Sequence, residues 1–263
     1  MQLLHGDVLQ VLKTLPDKTF SCIVTSPPYN IGKDYGSAVD DRKPRDVYLQ
    51  WMLDVFRECK RVLEDDGSLF INVGYSNIDP WIAMDVAQTL RGEYVLQNQI
   101  TWVKNITIKN DSYGHFKPIN SKRFMNVTNE QIYHFTKTGN VPVERLAIGV
   151  PYVYKCNLTS RTDKEKTKPD VRCRGNTWFI PYETIQSNKE DRGGHPASYP
   201  IELASMCIKL SGKKGRVLDP FLGTGTTLIA AKRLGLDGSG IDINSEFLQF
   251  ARKRIDSDTA STS

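Results

Sequence analysis

Long apolar runs are missing from this chain of 263 residues. No stretch approaches the roughly 20 continuous apolar residues that a membrane-spanning helix needs, and the start MQLLHGDVLQ has no basic-then-apolar layout of the kind a signal peptide carries. The expectation is a soluble, cytoplasmic protein. Cysteine is sparse. Cys22, Cys59, Cys156, Cys173 and Cys207 are scattered, odd in number and never spaced C-x-x-C, so neither a disulfide framework nor a zinc site is signalled and no metal is expected. Charge of one sign is also weak: a net charge of +5 admits a polyanionic partner without pointing to one. There are no internal repeats. What remains, 39% hydrophobic and 25% charged residues, suffices for one sizeable core with an appended region.

Periodicity organises the chain into alternating strands and helices. A short strand before His5 leads to a helix at Asp7–Leu15, and the apolar run Cys22–Thr25 reads as a buried strand. Apolar residues at 48, 51, 52, 55, 59, 62 and 63 keep helical spacing until Asp65-Asp66-Gly67, where the helix should stop, and a strand follows at Ser68–Val73. A helix at 81–91, a strand at 94–103 and a short strand at Gln131–Phe135 continue the pattern. From about Asn140 to Gly194 it decays around the basic run Ser160–Arg174, as an inserted module would. Periodicity returns with a helix at Ile201–Leu210, a strand at Arg216–Leu218, a helix at 226–234, a strand at Gly240–Ile243 and a helix at 246–255. Such alternation predicts an α/β fold built on a parallel sheet covered by helices.

Two segments carry chemistry. Asp219-Pro220-Phe221-Leu222-Gly223-Thr224-Gly225-Thr226-Thr227 lies between a strand and a helix, where glycines let the backbone turn tightly and approach a ligand. Leu228 stands where a dinucleotide fingerprint wants a third glycine, and no Gly-Lys-Ser/Thr of a phosphate loop is present. Asp242, at the end of the next strand, suits a carboxylate that accepts from ribose hydroxyls. A nucleoside without phosphates therefore fits this loop, although a lone Gly-x-Gly also makes plain turns. The second segment is Thr25-Ser26-Pro27-Pro28-Tyr29 at the carboxyl end of a predicted strand. Its two prolines fix the backbone and remove two N–H donors, so carbonyls and the Ser26 hydroxyl can face a ligand that donates, such as an exocyclic amine. Tyr29 offers a ring on which an extruded base can stack; a rigid turn with a packed tyrosine is the plainer alternative.

Together these segments resemble the amino-methylating DNA methyltransferases. DPFLGTGTT followed by GIDIN resembles their S-adenosylmethionine-binding segment, and SPPY resembles their catalytic tetrapeptide. The resemblance implies that Ser26, Pro27, Pro28 and Tyr29 are catalytic. It implies that Asp219, Pro220, Phe221, Gly223, Thr224, Gly225, Thr226 and Thr227 bind the cofactor, with Asp219 and Gly223 bordering its methionine part and Asp242 holding its ribose. Asp7 in His5-Gly6-Asp7 would lie near the adenine, or simply cap a helix. His195 and Pro196, in His195-Pro196-Ala197-Ser198-Tyr199-Pro200, would pack beside the methionine end, unless the histidine is structural.

The tetrapeptide precedes the cofactor loop, which is the circularly permuted order of the family's beta group. That order implies a Rossmann-like, seven-stranded, mostly parallel sheet with one reversed strand. The implied division is a catalytic half (1–139), a target-recognition region (140–194), a cofactor-binding half (195–256) and a flexible tail (257–263). Serine at the first position accompanies cytosine-N4 enzymes, whereas adenine-N6 enzymes carry Asp or Asn. The implied reaction is methylation of cytosine N4 in double-stranded DNA by base flipping, within a restriction-modification system that has a companion endonuclease. Adenine-N6 methylation and a non-catalytic DNA-binding module of the same fold remain alternatives, and the chain is expected to be a monomer or homodimer.

Phosphate contacts are expected from the basic stretch Lys104–Arg123, with Lys104, Lys109, Lys117, Lys122 and Arg123, unless it is only a solvated loop. Lys33 and Tyr35 in the loop 31–45, and Arg172 and Arg174 with Lys164, Lys166 and Lys168 in the inserted region, are further DNA candidates.

Overall fold

The computed structural model describes residues 1–33, 41–116, 119–154, 170–181 and 199–259. Their elements, in chain order, are β1 (Gln2–His5), α1 (Val8–Thr14), β2 (Phe20–Thr25), α2 (Arg45–Val62), β3 (Leu63–Val73), α3 (Ile82–Thr89), β4 (Val95–Val103), β5 (Ile106–Ile108), β6 (Asp111–Tyr113), β7 (Asn129–Thr136), β8 (Val150–Pro151), β9 (Val171–Arg172), β10 (Thr177–Phe179), α4 (Ile201–Ser211), β11 (Val217–Asp219), α5 (Thr226–Arg233), β12 (Gly238–Asp242) and α6 (Ser245–Ser257). One eight-stranded sheet has the order β1-β12-β11-β2-β3-β7-β4-β10. All its pairings are parallel except those of β7, the one reversed strand. The seven implied strands are present, and β10 adds an eighth at the edge beside β4.

Strand β2 is buried along its whole length, which explains why its sequence reads as an apolar run rather than an alternation. One face of the sheet is covered by the apolar stripe of α2, including Met52, Val55, Phe56 and Cys59, together with α1 and α3. The other face is covered by α4 and α5 through residues such as Leu203, Cys207, Ala230 and Ala231. No helix among the described residues is long and apolar enough to cross a membrane.

Two expectations change. Asp65-Asp66-Gly67 does not separate helix from strand; β3 begins at Leu63, which pairs with Phe20 ahead of a register shift, and the exposed carboxylate of Asp65 meets Lys18 Nζ at 2.6 Å and Lys137 Nζ at 3.2 Å. The strand starts early because those acids stay at the surface while Leu63 enters the core. The stretch 140–194 is not wholly separate from the sheet either: Trp178 of β10, Ile148 and Ile180 are buried in the same core as α4, and Trp178 Nε1 donates to the Gly175 carbonyl at 3.0 Å.

In the centre of the sheet His134 of β7 is fully buried, stacked on Phe70 with ring centroids 4.3 Å apart. One ring nitrogen lies 2.9 Å from Asn98 Nδ2 and the other 3.1 Å from Ser68 Oγ. An amide donor on the first nitrogen and a hydroxyl acceptor at the second suit a neutral ring, and burial pulls its pKa from 6.5 down to about 4. Between those values the unfolded chain binds a proton that the folded chain refuses, so His134 makes stability fall as pH drops through the window and level off below it. A pH titration of the ring protons by NMR should give a midpoint near 4. A midpoint at the ordinary value would contradict this packing.

Candidate active site

Parallel pairing delivers the carboxyl ends of β1, β12, β11, β2 and β3 to one edge of the sheet. There a cleft of about 330 Å³ opens, lined at one end by Ser26, Pro27, Pro28 and Tyr29 and at the other by Pro220, Gly223, Thr224 and Asp242. The proline turn and the glycine loop are therefore neighbours in space, as β2 pairing with β11 requires. Gly223 and Gly225 have φ of +51° and +85°, the left-handed region where a side chain is strained. A Cβ on Gly225 would also stand 3.0 Å from that of Ala251.

The acidic residues divide by role. Asp242 lines the cleft at the end of β12. Its Oδ2 accepts from Gly223 N and its Oδ1 from Asn244 N, both at 2.8 Å, and burial raises its pKa. Asp7 lines the cleft and also caps α1, accepting from Gln10 N at 3.1 Å, so both of its readings have a geometric basis. Asp219 differs from expectation. Its carboxylate is buried behind the loop and accepts from Thr25 Oγ1 at 2.7 Å, Thr227 Oγ1 at 2.5 Å, Phe221 N at 3.1 Å and Tyr199 Oη at 3.2 Å. Asp219, Gly225 and Thr227 shape the loop from behind, whereas Pro220, Phe221, Gly223, Thr224 and Thr226 border the cleft. Phe221 meets Trp51 edge-on at 5.6 Å to form an aromatic wall.

At the proline turn Tyr48 Oη donates to the Pro28 carbonyl at 2.7 Å, which fixes the turn on α2. Tyr29 is only 8% exposed and its hydroxyl belongs to a polar cluster, so it is more enclosed than a free stacking platform would be. That cluster brings in residues that sequence reasoning missed. Asn72 Nδ2 donates to Tyr29 Oη at 2.9 Å and to Glu130 Oε2 at 2.7 Å, while Tyr29 Oη also lies 2.7 Å from Ser26 Oγ. Asn72 Oδ1 is buried with no hydrogen-bond partner among the described residues. Asn72 and Glu130 sit at the edge-facing ends of β3 and β7. The only signal for them is position, because a lone Asn or Glu in a strand carries no motif.

Among the basic candidates, Lys33 and Lys104 line the cleft; burial lowers the Lys33 pKa, and Lys104 pairs with Glu130 at 3.1 Å. Lys109, with φ of +56°, turns the exposed β5–β6 hairpin, and Lys122, Arg123 and Arg172 are not part of the cleft lining. Arg174 is turned inward, its Nε donating to the Ile148 carbonyl at 3.0 Å. Tyr35, Lys117, Lys164, Lys166, Lys168, His195 and Pro196 lie outside the described residues.

The comparisons with known proteins agree with this architecture. The family model for a DNA methylase matches residues 20–253. The type II methyltransferase M.HpaI of Haemophilus parainfluenzae is 30% identical over 259 residues, covering 98% of this chain and 74% of the relative. The DNA adenine methyltransferase YhdJ of Escherichia coli (strain K12) is 29% identical over 266 residues, covering 97% and 82%. Among solved structures, the cytosine-N4-specific PvuII DNA methyltransferase superposes with a TM-score of 0.72 at 18% identity, covering 99% of this chain and 88% of that one. A Thermus thermophilus protein described as a DNA modification methylase, solved in complex with S-adenosyl-L-methionine, gives 0.63 at 25% identity, covering 97% and 94%. With a proline-turn cleft built as the motifs require and a family match across most of its length, the chain belongs to the N6/N4 DNA methylase family of amino-methylating DNA methyltransferases.

Proposed function

We propose that this protein methylates the exocyclic N4 of cytosine in double-stranded DNA, using S-adenosylmethionine. The observation that carries the reading is the cleft in which Ser26 and Asp242 face a common space. The residues at the loop end fit the cofactor. Asp242 keeps lone pairs beyond the two it lends to backbone N–H groups, enough to accept from ribose hydroxyls. Val8, Ile243 and Phe247 give apolar surface for a purine, with Asp7 beside them to accept from an amine. Bound there, S-adenosylmethionine supplies a sulfonium methyl group.

At the other end the Ser26 hydroxyl and the Pro27 carbonyl are the acceptors for the two hydrogens of the target amine. Holding both hydrogens biases the nitrogen away from planarity and frees its lone pair, so the site contributes position and electrostatics. Tyr29 and Trp102, with Lys33 and Lys104, border the space that an extruded base would enter. Serine at position 26 supports cytosine. Adenine N6 is the second reading, favoured by the 29% identical Escherichia coli relative that is named for adenine. Lys109, Lys122, Arg123 and Arg172 are assigned to phosphates and residues 140–194 to target recognition, with a companion endonuclease acting on the DNA sequence that this chain methylates.

Transfer of label from S-adenosylmethionine to unmethylated genomic DNA, followed by digestion to nucleosides, should place the label in N4-methylcytosine. Label in N6-methyladenine selects the second reading, and no label at saturating cofactor overturns the enzyme reading.

Ser26→Ala should slow single-turnover transfer by about 10²-fold or more while leaving the cofactor Kd within about threefold, since its hydroxyl serves the reacting amine. Asp242→Ala should instead weaken cofactor binding by about tenfold or more in calorimetry, the loss expected for one good hydrogen-bonding group. Equal loss of cofactor affinity in both variants would contradict this division of roles.

A further inference from the structure

Because β7 runs opposite to its neighbours, its first residues arrive at the edge where the other strands end, and Glu130 is thereby brought to Tyr29, the neighbour of Ser26. Glu130 is built into the site. Its side chain is 15% exposed, its Oε1 accepts from Lys104 Nζ at 3.1 Å, and its Oε2 accepts from Asn72 Nδ2 at 2.7 Å and from Tyr29 Oη at 3.1 Å. Gly74 makes the fit possible: a Cβ there would stand 2.7 Å from the Tyr29 ring and 3.1 Å from the Glu130 carboxyl carbon.

The hydrogen inventory of this cluster sets a direction. A carboxylate only accepts, so the single hydroxyl hydrogen of Tyr29 is drawn toward Glu130. Asn72 contributes donors only: its Nδ2 approaches Glu130 Oε2 at 2.7 Å, Tyr29 Oη at 2.9 Å and, at the longer distance of 3.4 Å, Ser26 Oγ. Ser26, 2.7 Å from Tyr29 Oη, must then give its own hydrogen to the tyrosine oxygen. On the protein side Ser26 then faces Tyr29 Oη, which accepts its hydrogen, and the donor Asn72 Nδ2 at 3.4 Å, and it keeps a lone pair for the cleft. A serine hydroxyl free to rotate could equally donate, and a donor facing the amine would repel it.

We propose that Glu130 is a positioning residue that, through Tyr29, holds Ser26 as an acceptor for the target amine and receives the proton released on methylation. This rests on the methyl-transfer reading above and holds for either base. The nitrogen lone pair becomes the new N–C bond while the old methyl–sulfur pair stays on sulfur. The methylated nitrogen, now cationic, gives a proton to Ser26 Oγ; Ser26 passes its own hydrogen to Tyr29 Oη, and Tyr29 passes its own to Glu130 Oε2. No co-reactant is needed. The carboxyl group later loses the proton to water, and the site returns to its starting state.

The test combines single-turnover labelling, KM for DNA, cofactor calorimetry and thermal melting on Glu130→Gln, Ser26→Ala, the double variant and Tyr29→Phe. Glu130→Gln should lower the rate at saturating substrates by about 10²-fold, the usual scale of a proton-transfer contribution. KM, cofactor Kd and melting temperature should stay near wild type. In the Ser26→Ala background the same change should cost less than about twofold, because groups that act through one another are not additive. A merely structural role would multiply the two losses. Tyr29→Phe, which keeps the ring and removes only the relay hydroxyl, should slow transfer by about tenfold, and it decides the matter if Glu130→Gln fails to fold. Full rate in Glu130→Gln or in Tyr29→Phe, or multiplicative losses in the double variant, would overturn the inference while leaving the functional reading intact. A wild-type protein that labels no DNA would sink both.

Discussion

Asp219, buried at the end of β11, accepts hydrogen bonds from Thr25, Thr227, Tyr199 and the backbone of Phe221, four donors on four different segments. Thr25 precedes the proline turn, Phe221 belongs to the glycine loop, Thr227 opens α5, and Tyr199 leads into α4. Burial pushes the carboxyl up to about 6, so an ionised Asp219 at neutral pH depends on those donors. A hydrogen bond to a charged group contributes about 1.5–3 kcal/mol in general, enough for these four together to make the junction a strong determinant of where the loop sits relative to the turn. The Tyr199 and Thr227 hydroxyls also contact one another, which closes the cluster against water. The two chemical ends of the cleft are thus held at a fixed separation by one side chain that does not itself line the cleft.

The reversed strand imposes a second constraint. In an all-parallel sheet, only strand ends and the loops after them reach the carboxyl edge. Reversal of β7 brings a strand beginning to that edge, and with it the charged side chain of Glu130, whose backbone is paired with Trp102 of β4. The residues on either side are already committed: β3 and the residue after it provide Asn72 and Gly74, and the residue after β4 provides Lys104. Each must tolerate close contact, which is why one position is a glycine and another a short amide. The polar cluster is consequently a joint product of three adjacent strands and the turn after β2, whereas the end at the glycine loop depends on loop geometry.

Much of this was legible in the sequence, and the exceptions share a cause. Buried runs such as FSCIVT and amphipathic stripes such as that of α2 announce their elements because their neighbours impose the pattern locally. SPPY and FLGTGT announce the cleft because strained or donor-free backbone requires particular residue types at consecutive positions. Asn72, Gly74 and Glu130 give no such signal: each is one residue in or beside a strand, and its meaning comes from register across the sheet. Asp219 reads as a ligand contact because it abuts the glycine loop, yet the carboxylate turns inward, a choice settled by hydroxyls from Thr25 and Tyr199 distant in sequence. The weakly patterned stretch 140–194 hides Trp178 and Ile180 because a three-residue edge strand is too short to show a period.

Chain order matters less than strand order. The last two strands in sequence, β11 and β12, insert between the first two, so the sheet reads β1-β12-β11-β2. Pairing of Gln2 with Ser239 and of Cys22 with Val217 seals the late half of the chain into the early half. The loop 219–227 has no freedom to lie elsewhere, since β11 is flanked by β2 and its carboxyl end opens beside Thr25. A rearranged linear order therefore preserves the same cleft, provided that β11 keeps β2 as its neighbour. What the rearrangement does change is the connection: the segment between Thr136 and Ile201 must travel from β7 to α4, which lies over β2. That long path passes β10 at the sheet edge beside β4, and it gives the region proposed for target recognition a buried anchor in Trp178.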